Sequence, residues 1–222
     1  MADREYITPG PKGEYGNISN HGYRYLQRLS EWVNNFATKL TGLDTSWDDL
    51  RVSLSTAKLP AADYPGWGQI KDNGSGSVGV FGYHFGDGEY VFLTTQLPHS
   101  YKEGSTIYPH IHFMTTTDVS PTDKFGIGLE YLWSDISDTL ATTTTVVTRE
   151  VETGVNTAYD HQLADIPAAG IAGTGMGISS IFMCRLYRYA ATGDNYAGDI
   201  VITDFDIHFE KDTWGSTEIT SK

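Results

Sequence analysis

With 222 residues and 39% hydrophobic side chains, the chain has room for one large all-β domain, or for one domain of ordinary size with an appendage. Its 15 Lys and Arg against 28 Asp and Glu leave a net charge of −13, which argues against nonspecific attraction to nucleic acid or to an anionic membrane surface. The single cysteine, Cys184, excludes an internal disulfide and a multi-cysteine zinc site, and its neighbours Phe182, Met183 and Leu186 favour a buried thiol. Aromatic residues at 13%, with 14 Tyr, together with 24 Gly, suit strands punctuated by glycine turns. No apolar run is long enough to span a bilayer, and Met-Ala-Asp-Arg-Glu-Tyr is not expected to be a secretory signal.

Residues 1–18 carry Pro9, Gly10, Pro11, Gly13 and Gly16 and read as an extended arm. A helix is predicted over about 19–41. Leu26, Leu29, Val33, Phe36 and Leu40 recur at spacings of 3, 4, 3 and 4, a heptad seam that Tyr25 and Trp32 widen. Ser19 or Asn20 can cap its start, and Gly42 sits at its C-terminal cap. Such a helix packs on its own domain, or it serves as an oligomerisation or anchoring element. Its place at one end of an otherwise β chain favours the anchor. The chain accordingly divides into an attachment or oligomerisation segment, 1–43, and a sandwich domain, 44–222.

From Leu43 the hydrophobic period becomes two. Leu50 to Leu54 reads as a first strand, and the Pro, Gly and Asp-rich stretch through Gly76 reads as loop. Val78 to Phe85 and Glu89 to Gln96, separated by Gly86-Asp87-Gly88, read as a hairpin. Further strands are predicted near 106–116, 125–135, 140–151, 178–189 and 199–210, with a long connection over 152–177. About eight strands with almost no helix between them predict an antiparallel, jelly-roll-like β-sandwich, preceded by the extended arm and one α-helix.

Two stretches hold residues that chemistry can use. Gly104, five residues, then His110-Ile111-His112 matches the start of the cupin metal signature, and residues i and i+2 of a strand share a face. The glutamate that should follow is absent from Phe113-Met114-Thr115-Thr116-Thr117, Asp118 comes late, and a third ligand would have to come from His208 or Glu130. In Asp204-Phe205-Asp206-Ile207-His208-Phe209-Glu210 the aromatic and aliphatic residues make one face and the polar residues the other. That row reads as an outer strand face or a subunit contact more readily than as a carboxylate site. Arg185 and Arg188 fall on opposite faces of their strand, so at most one of them can face the acidic row. The expected polar cluster is His110, His112, Arg185, Asp206 and His208, at a sheet or subunit interface, with no metal, cofactor or catalytic site. Nucleophile elbows, phosphate loops, H-E-x-x-H and calcium loops are absent from the sequence. Tyr64, Trp67 and Trp214 can stack on sugars or pack loops and neighbouring subunits.

Seven stretches, taken together, carry a resemblance. They are Trp47 to Arg51, Gln96 to His99, Lys102 to Ser105, Tyr108 to His112, Gly128 to Tyr131, Cys184 to Arg188, and Asp206 to Glu210 with Trp214-Gly215-Ser216. In this order they resemble a group of tailed-bacteriophage virion proteins, from about residue 44 to Ser221-Lys222. The resemblance implies a non-enzymatic, trimeric β-sandwich subunit assembled in the host cytoplasm into the virion, as a capsid decoration, head fibre or tail-associated component. Its partners would be further copies of itself and a capsid, portal or tail protein, without nucleic acid or membrane. On this reading His99, His110, His112 and His208 become sheet and interface residues. Two alternatives stay open: a tail- or collar-associated module that binds a host-surface glycan or receptor, and a cupin-like metalloprotein using His110 and His112.

Overall fold

The computed structural model describes residues 20–41, 46–76, 78–154 and 156–218. The arm read at 1–18 and the cap candidates Ser19 and Gly42 lie outside these, as does the Leu40 side chain. The chain separates into two units, 1–46 and 47–222. The first contains helix α1 (Asn20–Thr41), 22 residues long. Leu26 and Val33 on its seam are half-buried, whereas Leu29 and Phe36 are exposed. Trp32 and Phe36, one turn apart, stack with ring centroids at 5.4 Å.

The second unit is a sandwich of antiparallel strands: β1 (Ser46–Val52), β2 (Gly66–Asp72), β3 (Gly79–Phe85), β4 (Tyr90–Gln96), β5 (Ile107–Thr115), β6 (Lys124–Ser134), β7 (Thr145–Glu152), β8 (Gln162–Asp165), β9 (Ile181–Tyr189) and β10 (Ile200–Lys211). One sheet runs β2-β3-β10-β5-β8 with β1 also paired to β10; the other runs β4-β9-β6-β7. From β3 onward, each sheet interleaves early and late strands, and the chain changes sheet at every connection except β6 to β7. That is the jelly-roll order. Apolar side chains from both inner faces, among them Phe85, Ile111, Phe113, Phe125, Phe182 and Phe205, close the core.

The predicted β3–β4 hairpin does not form. β3 pairs with β2 and β10, and β4 pairs with β9 in the other sheet, so Gly86-Asp87-Gly88 is a corner between sheets. Arg188, 1% exposed, fastens this corner. Its guanidinium donates to the carbonyls of Phe85, Gly198 and Tyr196 at 2.6–2.7 Å, and its Nε lies 2.9 Å from Asp87 Oδ1. Two strands arise where loop was expected. β2 is an edge strand whose backbone pairs with β3, and four-residue β8 pairs with β5.

β10 has an extra residue against β5: Ile202 faces Phe113, but Asp204 faces His112. The bulge changes side-chain parity. Ile200 and Ile202 before it and Phe205, Ile207 and Phe209 after it all enter the core, which sends Asp204, Asp206 and His208 to the outer face.

Candidate functional site

On β5, Ile107, Ile111 and Phe113 pack into the core, so strand alternation carries Tyr108, His110 and His112 to the outer face. Register then sets Asp206 opposite His110, Asp204 opposite His112, and His208 opposite Tyr108. On the other side of β5, Asp165 lies opposite His110 and Leu163 opposite His112. β1 completes the face. Trp47 stacks on His208 at 5.0 Å and meets Tyr108 edge-on, and Asp49 Oδ1 lies 2.6 Å from His208 Nδ1. Trp47, Asp49, Tyr108, His110, His112, Leu163, Asp165 and His208 line a cavity of about 470 Å³.

Two of these lining residues reach Asp206, whose Oδ2 lies 3.2 Å from His112 Nε2 and 3.8 Å from His110 Nε2. His110 and Asp206 are each only 5% exposed. Burial raises the Asp206 carboxyl above the usual aspartate range, the Asp204 charge adds to this, and His110, His112 and Arg51 oppose it. Asp206 Oδ1 is buried without a hydrogen-bond partner. Arg51 Nε is drawn instead to Asp204, at 2.7 Å, and lies 3.9 Å from Asp206 Oδ1. His112 Nδ1 lies 2.8 Å from His161 Nε2.

The structure therefore brings together four residues of the expected cluster, His110, His112, Asp206 and His208, and leaves one out. Arg185 is on β9, in the opposite sheet, where its guanidinium holds Glu130 at 2.6 Å. Hydrogen bonds from Thr144 and then Arg185 hold the Glu130 carboxyl below its usual range. Glu130 is thus unable to serve as the third ligand of a cupin-like site, and His208 turns its Nδ1 to Asp49. The acidic atom nearest both imidazoles belongs to Asp206. Arg188, the other candidate for the acidic row, is consumed by the corner. His161 was not anticipated. It precedes β8, whose pairing with β5 is absent from any local sequence pattern.

His99 lies apart from this face, with its ring nitrogens 2.6 Å from Ser216 Oγ and 3.1 Å from Ser179 Oγ. The aromatic residues Trp67 and Trp214 do not converge. Trp67 faces Tyr83, which pairs with Ile202, while Trp214 follows Lys211 at the other end of β10, about 30 Å along the strand. Exposed Phe92 and half-buried Tyr90 lie elsewhere, on the outer face of the four-stranded sheet. Tyr90 and Phe92 meet edge-to-face at 5.5 Å beside Arg185, in a cleft of about 460 Å³.

No family model matches the chain, and no curated protein matches it. Several solved structures are similar at low identity. One is the family 30 carbohydrate-binding module of a cellulosomal cellulase of Clostridium thermocellum, at TM-score 0.36 and 15% identity, over 72% of this chain and 90% of that one. Another is the infectious bursal disease virus Gx strain, at TM-score 0.32 and 11% identity, over 78% of this chain and 37% of that one. A third is TmCBM61 in complex with β-1,4-galactotriose, at TM-score 0.27 and 15% identity, over 78% of this chain and 92% of that one. At these TM-scores none of the likenesses bears on function.

Proposed function

We propose that the chain is a non-enzymatic structural subunit of a tailed-bacteriophage virion, a homotrimer of jelly-roll bodies docked through helix α1 to a capsid, portal or tail protein. The observation that carries this reading is the apolar stripe of α1. Tyr25, Trp32 and Phe36 are 66%, 62% and 51% exposed, so the amphipathic helix has large aromatic surface for a partner to cover. The stretches that carry the phage resemblance add support, because they contact one another in pairs. Asp49 meets His208, Lys102 meets Glu210, Glu130 meets Arg185, and His99 meets Ser216. These pairs tie together strands and loops that are far apart in the chain, as a structural subunit requires.

The test is particle incorporation of a Trp32→Ser, Phe36→Ser double variant. Loss of the chain from purified particles, with its β circular dichroism retained, is the expected result. Normal incorporation contradicts docking through the helix.

A second reading, glycan binding at the virion surface, is favoured by the Tyr90, Phe92 and Arg185 cleft, since aromatic faces beside a charged hydrogen-bond donor suit sugar rings. It predicts glycan-array binding that Phe92→Ala removes. An array without signal for the wild type contradicts it.

A further inference from the structure

The floor of the β5–β10 face gathers lone pairs that repel one another unless positive charge lies between them. His110 Nδ1 is 3.2 Å from the carbonyl oxygen of Tyr108. A carbonyl only accepts, so that contact places a proton on Nδ1, and in the neutral ring Nε2 carries the lone pair. This Nε2 faces Asp206 Oδ2. His112 Nδ1 and His161 Nε2 lie 2.8 Å apart, so one of them carries the shared proton. In the tautomer in which His112 Nδ1 donates, its Nε2 presents a second lone pair to the same carboxylate oxygen. A histidine ligand whose other nitrogen donates to a fixed acceptor is the usual outer support of a metal centre.

Geometry and surroundings agree with this arrangement. The His110, His112 and Asp206 ligand atoms all lie within 4.8 Å of one another. Ligands around a tetrahedral zinc, with bonds of about 2.0–2.2 Å, stand about 3.3 Å apart, so small side-chain rotations close the gap. The Asp206 side chain is 7% exposed with one oxygen unpartnered, so desolvation has already occurred and protein donors have not replaced water. Asp204 adds negative charge beside it, and the only guanidinium near it, among the described residues, is turned toward Asp204.

We propose that His110 Nε2, His112 Nε2 and Asp206 Oδ2 bind one divalent transition-metal ion on the outer face of the six-stranded sheet. Two imidazoles and one carboxylate select zinc-like ions over calcium or magnesium, which take all-oxygen sets. The remaining coordination position opens into the cavity lined by Trp47, Tyr108, Leu163 and His208. The ion would tie β5 to β10 at the centre of the sheet. Its presence is independent of whether the protein belongs to a virion.

The test uses the untagged full-length chain, stripped with a chelator and titrated with zinc chloride by calorimetry, with native mass spectrometry for stoichiometry. One zinc per chain is expected. Asp206→Asn and His110→Ala are each expected to weaken binding by about 100-fold or more, and His99→Ala to leave it unchanged. No saturable uptake overturns the proposal, as does uptake that both His110→Ala and Asp206→Asn leave intact. Should the variants fold poorly, the wild type loaded with cobalt gives an independent readout. A spectrum of nitrogen and oxygen ligation without a thiolate charge-transfer band is expected, and a thiolate band would overturn the assignment.

Discussion

His110 and Asp206 are register partners on β5 and β10, both buried, with Nε2 and Oδ2 3.8 Å apart and no proton assigned between them by their other contacts. Burial raises the Asp206 carboxyl, so its ionised form opposes folding at neutral pH. An amide of the same shape removes that charge and offers an N–H to the His110 lone pair. Asp206→Asn is therefore expected to raise the Tm of the metal-free protein by a few degrees and to abolish any further rise on adding zinc. Differential scanning calorimetry with and without zinc checks both halves.

Arg188 fixes the turn from β3 into β4 through three backbone carbonyls and Asp87. Removing it leaves buried acceptors and a carboxylate without their donor. Arg188→Ala is expected to cost about 3–5 kcal/mol in urea denaturation. Arg188→Lys should recover little of this, because one ammonium cannot serve the same spread of acceptors.

Burial pushes the Cys184 thiol up to about 12, which keeps it protonated at neutral pH. The thiolate is the reactive form. A thiol reagent should therefore label the native protein only at the rate of unfolding and label it at once in denaturant. Rapid stoichiometric labelling under native conditions contradicts the packing of β9.

Glu130 has a folded-state pKa below its ordinary value, through Thr144 and then Arg185. Its contribution to stability is complete above the ordinary glutamate range and disappears as pH falls through the lowered value. The Tm difference between wild type and Glu130→Gln should thus be largest near neutrality and shrink as the pH falls below the ordinary glutamate range. Because the pair is partly solvated, the whole effect is expected to be small.

β9 was the most legible strand because its burial alternates at every position from Ile181 to Tyr189; β5, β6 and β10 were legible from the period-two spacing of Ile111 and Phe113, of Phe125, Ile127 and Leu129, and of Phe205, Ile207 and Phe209. The hairpin at Gly86-Asp87-Gly88 misled because a short glycine turn looks the same whether it returns the chain within a sheet or carries it across a corner; the buried Arg188 that decides the matter lies about a hundred residues away. β2 and β8 were hidden by Gly, charge and brevity, since backbone pairing to a neighbour needs no local apolar pattern. The H-x-H pair was visible, but its acidic neighbour was not. Ile200 and Ile202 lie on one parity and Phe205, Ile207 and Phe209 on the other, and that switch was the one available sign of the bulge that turns Asp206 toward His110 and His112.

Quantitative mass spectrometry of purified particles made from the genome that encodes this chain decides whether it is a structural subunit of a virion. The chain is expected in intact particles at a fixed copy number divisible by three. Its absence from particles, with abundant free protein in the same lysate, would contradict it.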